Sequence, residues 1–587
     1  MPSYYFVRSH SIIQWIDRVF VAVALLALVS LVLEYGFYLS PQWHHILNRF
    51  ELLVVEFYLV QYGLKLVLSR NKLLYLRNQW YETVLALLVF LETASAIRLI
   101  GINVISTYFY NINVRTLVEA YVVIAQFLIV LTLVPRVIQL NKSLTRLRFN
   151  PAQTSMLSFA LIILIGALLL MLPRAVRPGN VIAFIDALFT STSAICVTGL
   201  TVLDTGSYFS PIGQMIILFL VQIGGIGIIT INSFLALFFG QGVGLQERIM
   251  LFDIVNAEKL SIITSTIRNI IIIVLATELI GALVLMMVWA EQGWSLQRLI
   301  FVAVFHSVCA FCNAGFSTFS ENLMGWQSNA GVIVTIAMLI IIGGLGFNAI
   351  MDIMGNRLSM KRNRSPHLKV HTKLVMIVTV ILIVAGTGAF LLFEPMAQGE
   401  SIATHLLNAF FTSVTARTAG FNSVNTGALS ETTAIVIIIL MFIGASPQST
   451  GGGIKTTTAA VLWCSVVSLV SGRRRIVLFR KNIPFVVLNR ALIVFFVSTV
   501  VIIAAALLLS ITEHSSFLNI LFEVVSAFGT VGLSRGLTPD LTVFGKAVII
   551  AVMFVGRIGI LTLAFAITAP KEQQLRIEYP SELVAVG

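Results

Sequence analysis

Charge is what this chain has least of. Of its 587 residues, 11% are Asp, Glu, Lys or Arg, where a soluble globular protein carries about 25%. That shortage excludes a water-soluble domain. Cysteine is scarce too: Cys196, Cys309, Cys312 and Cys464 are the only four, and all fall in apolar segments. Cys309-Ala-Phe-Cys312 has the spacing of a redox or metal motif, but no paired ligands or thioredoxin-like context accompany it. Histidine offers no catalytic constellation. His44 and His45 share a loop, and His306 and His405 stand singly, with no His/Glu metal spacing and no nucleophile triad. Enzyme chemistry is excluded on that ground, and no cofactor is expected. Acidic residues are few: 25 against 38 basic ones, for a net charge of +13. The excess does not mark a nucleic-acid binder, because the basic residues collect in loops between apolar runs, as the positive-inside rule requires. The N-terminal stretch with Arg8 and Arg18 reads as a cytoplasmic flank rather than a cleavable signal.

What is abundant is apolar. Hydrophobic residues make up 58% and the mean hydropathy is +0.97, which reads as an all-α polytopic membrane protein with spans of roughly 20 residues. Residues 1–149 predict a four-helix membrane bundle, with spans near 12–40, 50–69, 80–100 and 117–138 and an interfacial loop at Ser40-Pro-Gln-Trp-His-His-Ile-Leu. It is not a voltage sensor, since no Lys or Arg lies between Thr116 and Pro135 to move in a field.

The remainder carries an internal repeat. Gly199, Gly315, Gly420 and Gly532 sit in the windows Val-Thr-Gly-Leu-Thr, Asn-Ala-Gly-Phe-Ser, Thr-Ala-Gly-Phe-Asn and Thr-Val-Gly-Leu-Ser. Ten residues before each stands a Phe: Phe189, Phe305, Phe410 and Phe522. The intervals are 116, 105 and 112 (315−199, 420−315, 532−420), long enough for two spans with a re-entrant loop between them. The predicted units are 150–240, 241–360, 361–480 and 481–570, within a core of 150–570 followed by a cytoplasmic tail at 571–587. In each, a short helix precedes the glycine: 186–196, 294–312, 402–417 and 515–528. The second spans are expected near 211–239, 328–354, 430–470 and 541–567.

Loop charges orient these units. Lys361, Arg362, Arg364, Arg473, Arg474, Arg475, Arg480 and Lys481 mark cytoplasmic loops, while Glu291, Glu394, Glu400 and Glu513 mark external ones. The external loop holding Arg174 and Arg177 is the exception. Both termini are expected inside. Units of one orientation predict pseudo-fourfold symmetry around a single pore rather than an inverted repeat.

A cation that enters such a pore must exchange its water shell for other oxygens. Backbone carbonyls of Val197, Thr198, Gly199, Asn313, Ala314, Gly315, Thr418, Ala419, Gly420, Thr530, Val531 and Gly532 are the candidate ligands. Sequence varies most two positions before each glycine, which predicts a short filter well formed only at the glycine level. Beneath it, Gly444-Ala-Ser-Pro-Gln-Ser-Thr-Gly-Gly-Gly-Ile-Lys-Thr-Thr-Thr458 interrupts an apolar span. Such a run breaks a helix and is placed to act as a gate. It is no phosphate loop, because Ile454 separates glycine from lysine. Arg557 is a lone charge in the last span, where charges usually face a cavity. Glu278, Arg417 and Glu523 are expected in local ion pairs or helix contacts.

These residues resemble the Trk/Ktr/HKT superfamily of potassium transporters, closest to its bacterial membrane subunits of the TrkH and KtrB type. The likeness spans roughly residues 150–587: four glycine loops, the broken third-repeat helix, and Arg-Ile-Gly in the last span. The resemblance implies potassium uptake across the inner membrane, with a Na⁺-permeating or Na⁺-coupled relative as the alternative. It implies a homodimer above a cytosolic nucleotide-binding regulatory subunit of TrkA/KtrA type, in contact with membrane lipid. It implies a gate at Gly451, Gly452, Gly453, Lys455 and Arg557. Glycine at all four filter positions favours potassium over sodium within that superfamily. Residues 1–149 are an addition to the pattern.

Overall fold

A computed structural model of the chain describes residues 32–68, 151–239, 260–360, 368–396, 398–473 and 475–567, with isolated positions between 19 and 83. The chain divides into two compact units: Met1–Arg148 with Leu172–Pro178, and Phe149–Met171 with Gly179–Gly587.

In the first unit, α1 spans Pro41–Leu68. The expected interfacial loop is therefore shorter, ending at Ser40. Proline at the first helical position loses no hydrogen bond, since that N–H would be unpaired anyway, and the His44 amide closes the first turn on the Ser40 carbonyl at 3.2 Å. The expected spans near 80–100 and 117–138 lie outside the described residues. Arg174, the exception to the loop-charge pattern, has local partners. Its Nη1 donates to the Glu34 carbonyl at 2.9 Å, its amide to the Gly36 carbonyl at 3.0 Å, and its guanidinium lies 5.9 Å from the Tyr38 ring.

The second unit contains four successive groups of helices. The first comprises α2 (Pro151–Leu170), α3 (Phe184–Ile195) and α4 (Pro211–Phe239). The second comprises α5 (Leu260–Trp289), α6 (Leu296–Cys312), α7 (Ala330–Leu345) and α8 (Phe347–Met360). The third comprises α9 (Val370–Phe393), α10 (Ile402–Thr415), α11 (Glu431–Phe442) and α12 (Thr456–Val470). After a two-stranded hairpin, β1 (Val477–Leu478) with β2 (Lys481–Asn482), the fourth comprises α13 (Phe485–Thr512), α14 (Phe517–Gly529), α15 (Val543–Ile558) and α16 (Ile560–Ile567). The mostly helical expectation holds.

Length separates the roles of these helices. Among the described residues, Arg268–Gln292, Val370–Phe393 and Phe485–Thr512 are long and apolar enough to cross a membrane. The second helix of each group is shorter. At 1.5 Å per residue, α3 reaches roughly 18 Å, well short of the roughly 30 Å hydrocarbon core. Serine starts three of these short helices. Ser295, Ser401 and Ser516 accept from the amides of Arg298, Thr404 and Asn519, which satisfies one of the donors a helix start leaves unpaired.

Sequence reading treated the second spans of the first, second and fourth groups as continuous, and the structure corrects this. Helix α4 kinks at Gly227 (φ 83°, ψ 177°). Helices α7 and α8 turn by 92° about Gly346, and α15 ends before Gly559. At these backbone angles an L-residue is strained, so glycine sets each break. The third group breaks as expected, between Phe442 and Thr456.

Packing closes on itself. Helix α4 packs on α6, α7 on α10, α11 on α14, and α15 on α3. Each group's third helix thus leans on the next group's short helix, and the fourth group returns to the first. No peptide joins that last seam. There the Lys546 ammonium meets the Asp186 carboxylate at 2.6 Å, and the Gln153 amide donates to the Ala566 carbonyl at 2.9 Å.

Candidate functional site

The short helices end where the glycine windows begin. Cys196, Asn313, Ala416 and Thr530 are the C-caps of α3, α6, α10 and α14. Helix C-termini carry partial negative charge, and four of them meet these loops.

Backbone sign is the common feature of the loops. Two positions before each glycine, Val197, Asn313, Thr418 and Thr530 have φ of 56°, 60°, 75° and 50°. The glycines have φ of 89°, 66°, 78° and 96°. The residues between them, Thr198, Ala314, Ala419 and Val531, are absent from the positive-φ set. A chain that alternates the sign of φ turns successive carbonyls toward one side. The side chains differ two positions before each glycine, but the backbone conformation there does not.

The glycines also contact one another's loops in a cycle. A Cβ on Gly199 would strike the Ala314 carbonyl oxygen, one on Gly420 the Val531 oxygen, and one on Gly532 the Thr198 oxygen. On Gly315 it would lie 2.8 Å from the Ala419 oxygen. Each glycine faces the carbonyl just before the next glycine, and the fourth faces the first. Eight of the twelve expected residues, the four glycines with Thr198, Ala314, Ala419 and Val531, are brought together by these contacts, and of the remaining four, Asn313 Nδ2 donates to Thr418 Oγ1 at 3.3 Å. A cavity of about 360 Å³ opens above them, lined by the four glycines with Asp204, Ser317, Glu321, Asn322, Ser534 and Arg535 among others. One glycine carbonyl is already engaged: Asn322 Nδ2 donates to the Gly315 oxygen at 3.2 Å.

Serine hydroxyls on the short helices support the loops from behind. Ser193 accepts from the Gly199 amide at 3.0 Å and Ser526 from the Gly532 amide at 3.1 Å. In the third loop, Thr415 Oγ1 donates to the Phe421 carbonyl at 2.6 Å.

The interrupted span folds against the other end of the loops. Gly444 and Ile454 close a short loop through a 2.9 Å backbone bond. Within it the Ser446 amide donates to the Gly344 carbonyl at 3.1 Å, and the Thr450 amide to the Gly343 carbonyl at 3.3 Å. The Gly452 amide donates to Thr530 Oγ1 at 3.0 Å. A Cβ on Gly451 would collide with Thr418 Oγ1, and Gly453 lies near Gly529. Lys455 Nζ donates back to the Gly451 carbonyl at 2.8 Å. Arg557 is buried. Its two terminal nitrogens donate to the Thr450 and Gly224 carbonyls, tying the loop to α4.

For Glu278, Arg417 and Glu523, expected in ion pairs or helix contacts, the side-chain contacts among the described residues are hydrogen bonds to neighbouring helices and loops. Gln222 Nε2 donates to Glu278 at 3.2 Å. Arg417 Nη2 donates to Thr379 Oγ1 at 3.3 Å. Glu523 accepts from Ser534 and Thr538. The cysteines are free thiols, and among the described residues no group of three or more His, Cys, Asp or Glu is placed to hold a metal ion.

Glycines absent from the expected site let the third helices of three groups approach the short ones. Gly224, Gly343 and Gly556 each abut a short-helix carbonyl, of Ile195, Phe311 and Phe528. The signal was present. Gly-Gly-Ile-Gly227, Gly-Gly-Leu-Gly346 and Gly-Arg-Ile-Gly559 stand at similar offsets after the ring glycines, and the third group has Gly-Ala-Ser-Pro447 there.

Comparison with known proteins follows this geometry. The family described as "TrkH: Cation transport protein" matches residues 121–577, so the match begins inside the segment assigned above to a separate bundle. The Ktr system potassium uptake protein B of Bacillus subtilis is 39% identical over 77% of this chain and 100% of its own length. The potassium/sodium uptake protein NtpJ of Enterococcus hirae is 37% identical over 76% of this chain and 99% of its own. The crystal structure of the potassium transporter TrkH from Vibrio parahaemolyticus superposes with a TM-score of 0.57 at 20% identity, covering 70% of this chain and 83% of that one.

Proposed function

The chain belongs to the TrkH cation-transport family, and on that premise we propose that it takes up potassium ions across the cytoplasmic membrane. It is a membrane transport protein rather than an enzyme. The observation that carries the ion reading is the cycle of four glycines, each set against the next loop's carbonyl, on loops that share one pattern of φ.

In this reading the ion leaves water in the external cavity and is held by carbonyls of Val197 to Gly199, Asn313 to Gly315, Thr418 to Gly420 and Thr530 to Gly532. Carbonyl dipoles replace its hydration shell without a fixed charge. The ends of α3, α6, α10 and α14 add a favourable field for a cation. The pore has pseudo-fourfold symmetry, and ions move down their electrochemical gradient.

The segment Gly451 to Lys455 is the gate. With Gly452 bonded to Thr530 and Gly451 against Thr418, it occupies the space under the filter. Lys455 and Arg557 bring two cationic groups to that loop, which oppose a passing cation. Opening requires the loop to release Thr530 and Arg557. The functional assembly is a homodimer in the inner membrane, multi-pass, with both termini cytoplasmic. A cytosolic nucleotide-binding subunit beneath it controls the loop.

The test is growth and K⁺ uptake in cells lacking their own potassium uptake systems, with a regulatory subunit supplied and membrane expression verified. Growth at low K⁺ is the expected outcome. Failure to accumulate K⁺ would sink the proposal.

A further inference from the structure

Nine residues before each ring glycine, on the short helix, stand Thr190, His306, Phe411 and Glu523. Two of them reach the residue two positions after the glycine. His306 Nε2 meets Ser317 Oγ at 2.9 Å, with Nδ1 at 2.8 Å from the Val302 carbonyl. A carbonyl only accepts, so Nδ1 carries the proton and Nε2 accepts the Ser317 hydroxyl. Ser317 Oγ in turn accepts from the Phe319 amide at 3.0 Å. Glu523 is fully buried and takes the Ser534 hydroxyl on one oxygen and the Thr538 hydroxyl at 2.8 Å on the other. The other two loops lack this strut. Thr190 turns back to the Asp186 carbonyl at 2.8 Å, and Phe411 has no polar atom.

The order of contacts around the ring places the second and fourth loops opposite each other. The struts therefore lie on one diagonal of the ring; on the other, the third loop is held by main-chain contacts instead, with Thr415 Oγ1 donating to the Phe421 carbonyl at 2.6 Å and the Leu323 amide to the Asn422 carbonyl at 3.1 Å. The fourth loop is fixed further. Arg535 bonds Asn519 at 2.9 Å and the Leu429 carbonyl at 3.1 Å, and the Thr426 hydroxyl donates to the Ser534 carbonyl.

We propose that Glu523, with His306 across the ring, is a specificity-determining positioning residue that sets the spacing of the filter carbonyls by fixing the outer edge of its loop. The inference rests on the filter reading above. Neither residue touches the ion. Each holds the strand that follows the glycine, and the glycine carbonyl moves with that strand. An ion smaller than K⁺ is excluded only while opposite carbonyls cannot close in. A pinned diagonal keeps them apart. Glu523 is the stronger strut because two hydroxyls, of Ser534 and Thr538, are held on its two carboxyl oxygens.

The experiment compares K⁺ and Na⁺ uptake by the full-length protein in liposomes, for wild type, Glu523→Gln, Glu523→Ala, Ser534→Ala and His306→Ala. Glu523→Gln keeps the shape but brings an NH₂ toward groups that donate. The expected result is a K⁺/Na⁺ preference lowered about tenfold in both Glu523 variants, the scale of one lost buried hydrogen bond. Ser534→Ala removes one donor and leaves the carboxylate in place. It is expected to fold if Glu523→Ala does not, and to show a several-fold loss. His306→Ala should lower the preference less than Glu523→Ala. Wild-type preference in folded Glu523→Gln and Ser534→Ala would overturn the inference. So would an equal fall in K⁺ and Na⁺ rates with the ratio intact, which is what a purely structural role produces. Absence of K⁺ flux in the wild type would instead refute the filter reading itself.

Discussion

Alanine placed at each ring glycine in turn should produce a graded series, not four equal defects. Two costs add at each site. The first is backbone strain: an L-residue in the left-handed region costs about 1–2 kcal/mol. Gly315, at φ 66°, lies within the range that region allows, whereas Gly199 at 89° and Gly532 at 96° lie beyond it. The second is collision. At Gly315 the new Cβ would sit 2.8 Å from the Ala419 oxygen, so the main chain must still move, but by less than at the other three. At Gly199, Gly420 and Gly532 the oxygen it meets is nearer, and the carbonyl itself must swing away. That carbonyl is a proposed ion ligand on the neighbouring loop. Gly315→Ala should therefore hold its K⁺/Na⁺ preference to within about tenfold, equivalent to about 1.4 kcal/mol. The other three should lose roughly a hundredfold, about twice that energy. Gly199→Ser should fall with Gly199→Ala, since the Cβ makes the collision. The assay is rubidium tracer uptake into liposomes competed by K⁺ or Na⁺, normalised to folded protein. Four unchanged ratios would show that the ring is not the filter. A result in which Gly315→Ala is the worst would refute the argument from close contact.

Deleting Gly451 to Gly453 should raise flux at a fixed gradient, and Arg557→Ala should act in the same direction by releasing Thr450. Unaltered rates in both would mean that this loop does not gate. The seam between the fourth and first groups predicts a coupling: Asp186→Ala and Lys546→Ala should each lower the thermal midpoint, and the charge-swapped double variant should recover part of it. Their pair is 2.6 Å apart with side chains 18% and 15% exposed, so a coupling of about 1 kcal/mol is expected. Strictly additive single effects in a double-mutant cycle would refute the pairing.

Much of this protein is written locally. Eleven per cent charge over 587 residues admits little but a membrane protein, because lipid-facing surface needs no charge. The four glycine windows are legible because each lies within a dozen residues of its own short helix. The broken third span is legible because its Gly, Ser, Thr and Pro residues oppose helix formation wherever they stand. The breaks at Gly227, Gly346 and Gly559 were harder to see. A single glycine inside an apolar run is tolerated in a helix, and only the angles reached on packing reveal a stop. Which group faces which was not legible at all. Gly532 meets Thr198, and Arg557 meets Gly224, across more than three hundred residues of chain. Pairings at that range arise when helices of matching shape close into a cycle, and no spacing in the sequence encodes them. Glu523 shows the same division. Its sequence identifies an acid on an apolar helix and suggests a counter-ion. Folding brought it two hydroxyls, of Ser534 and Thr538, because the loop after Gly532 turns back over its own helix.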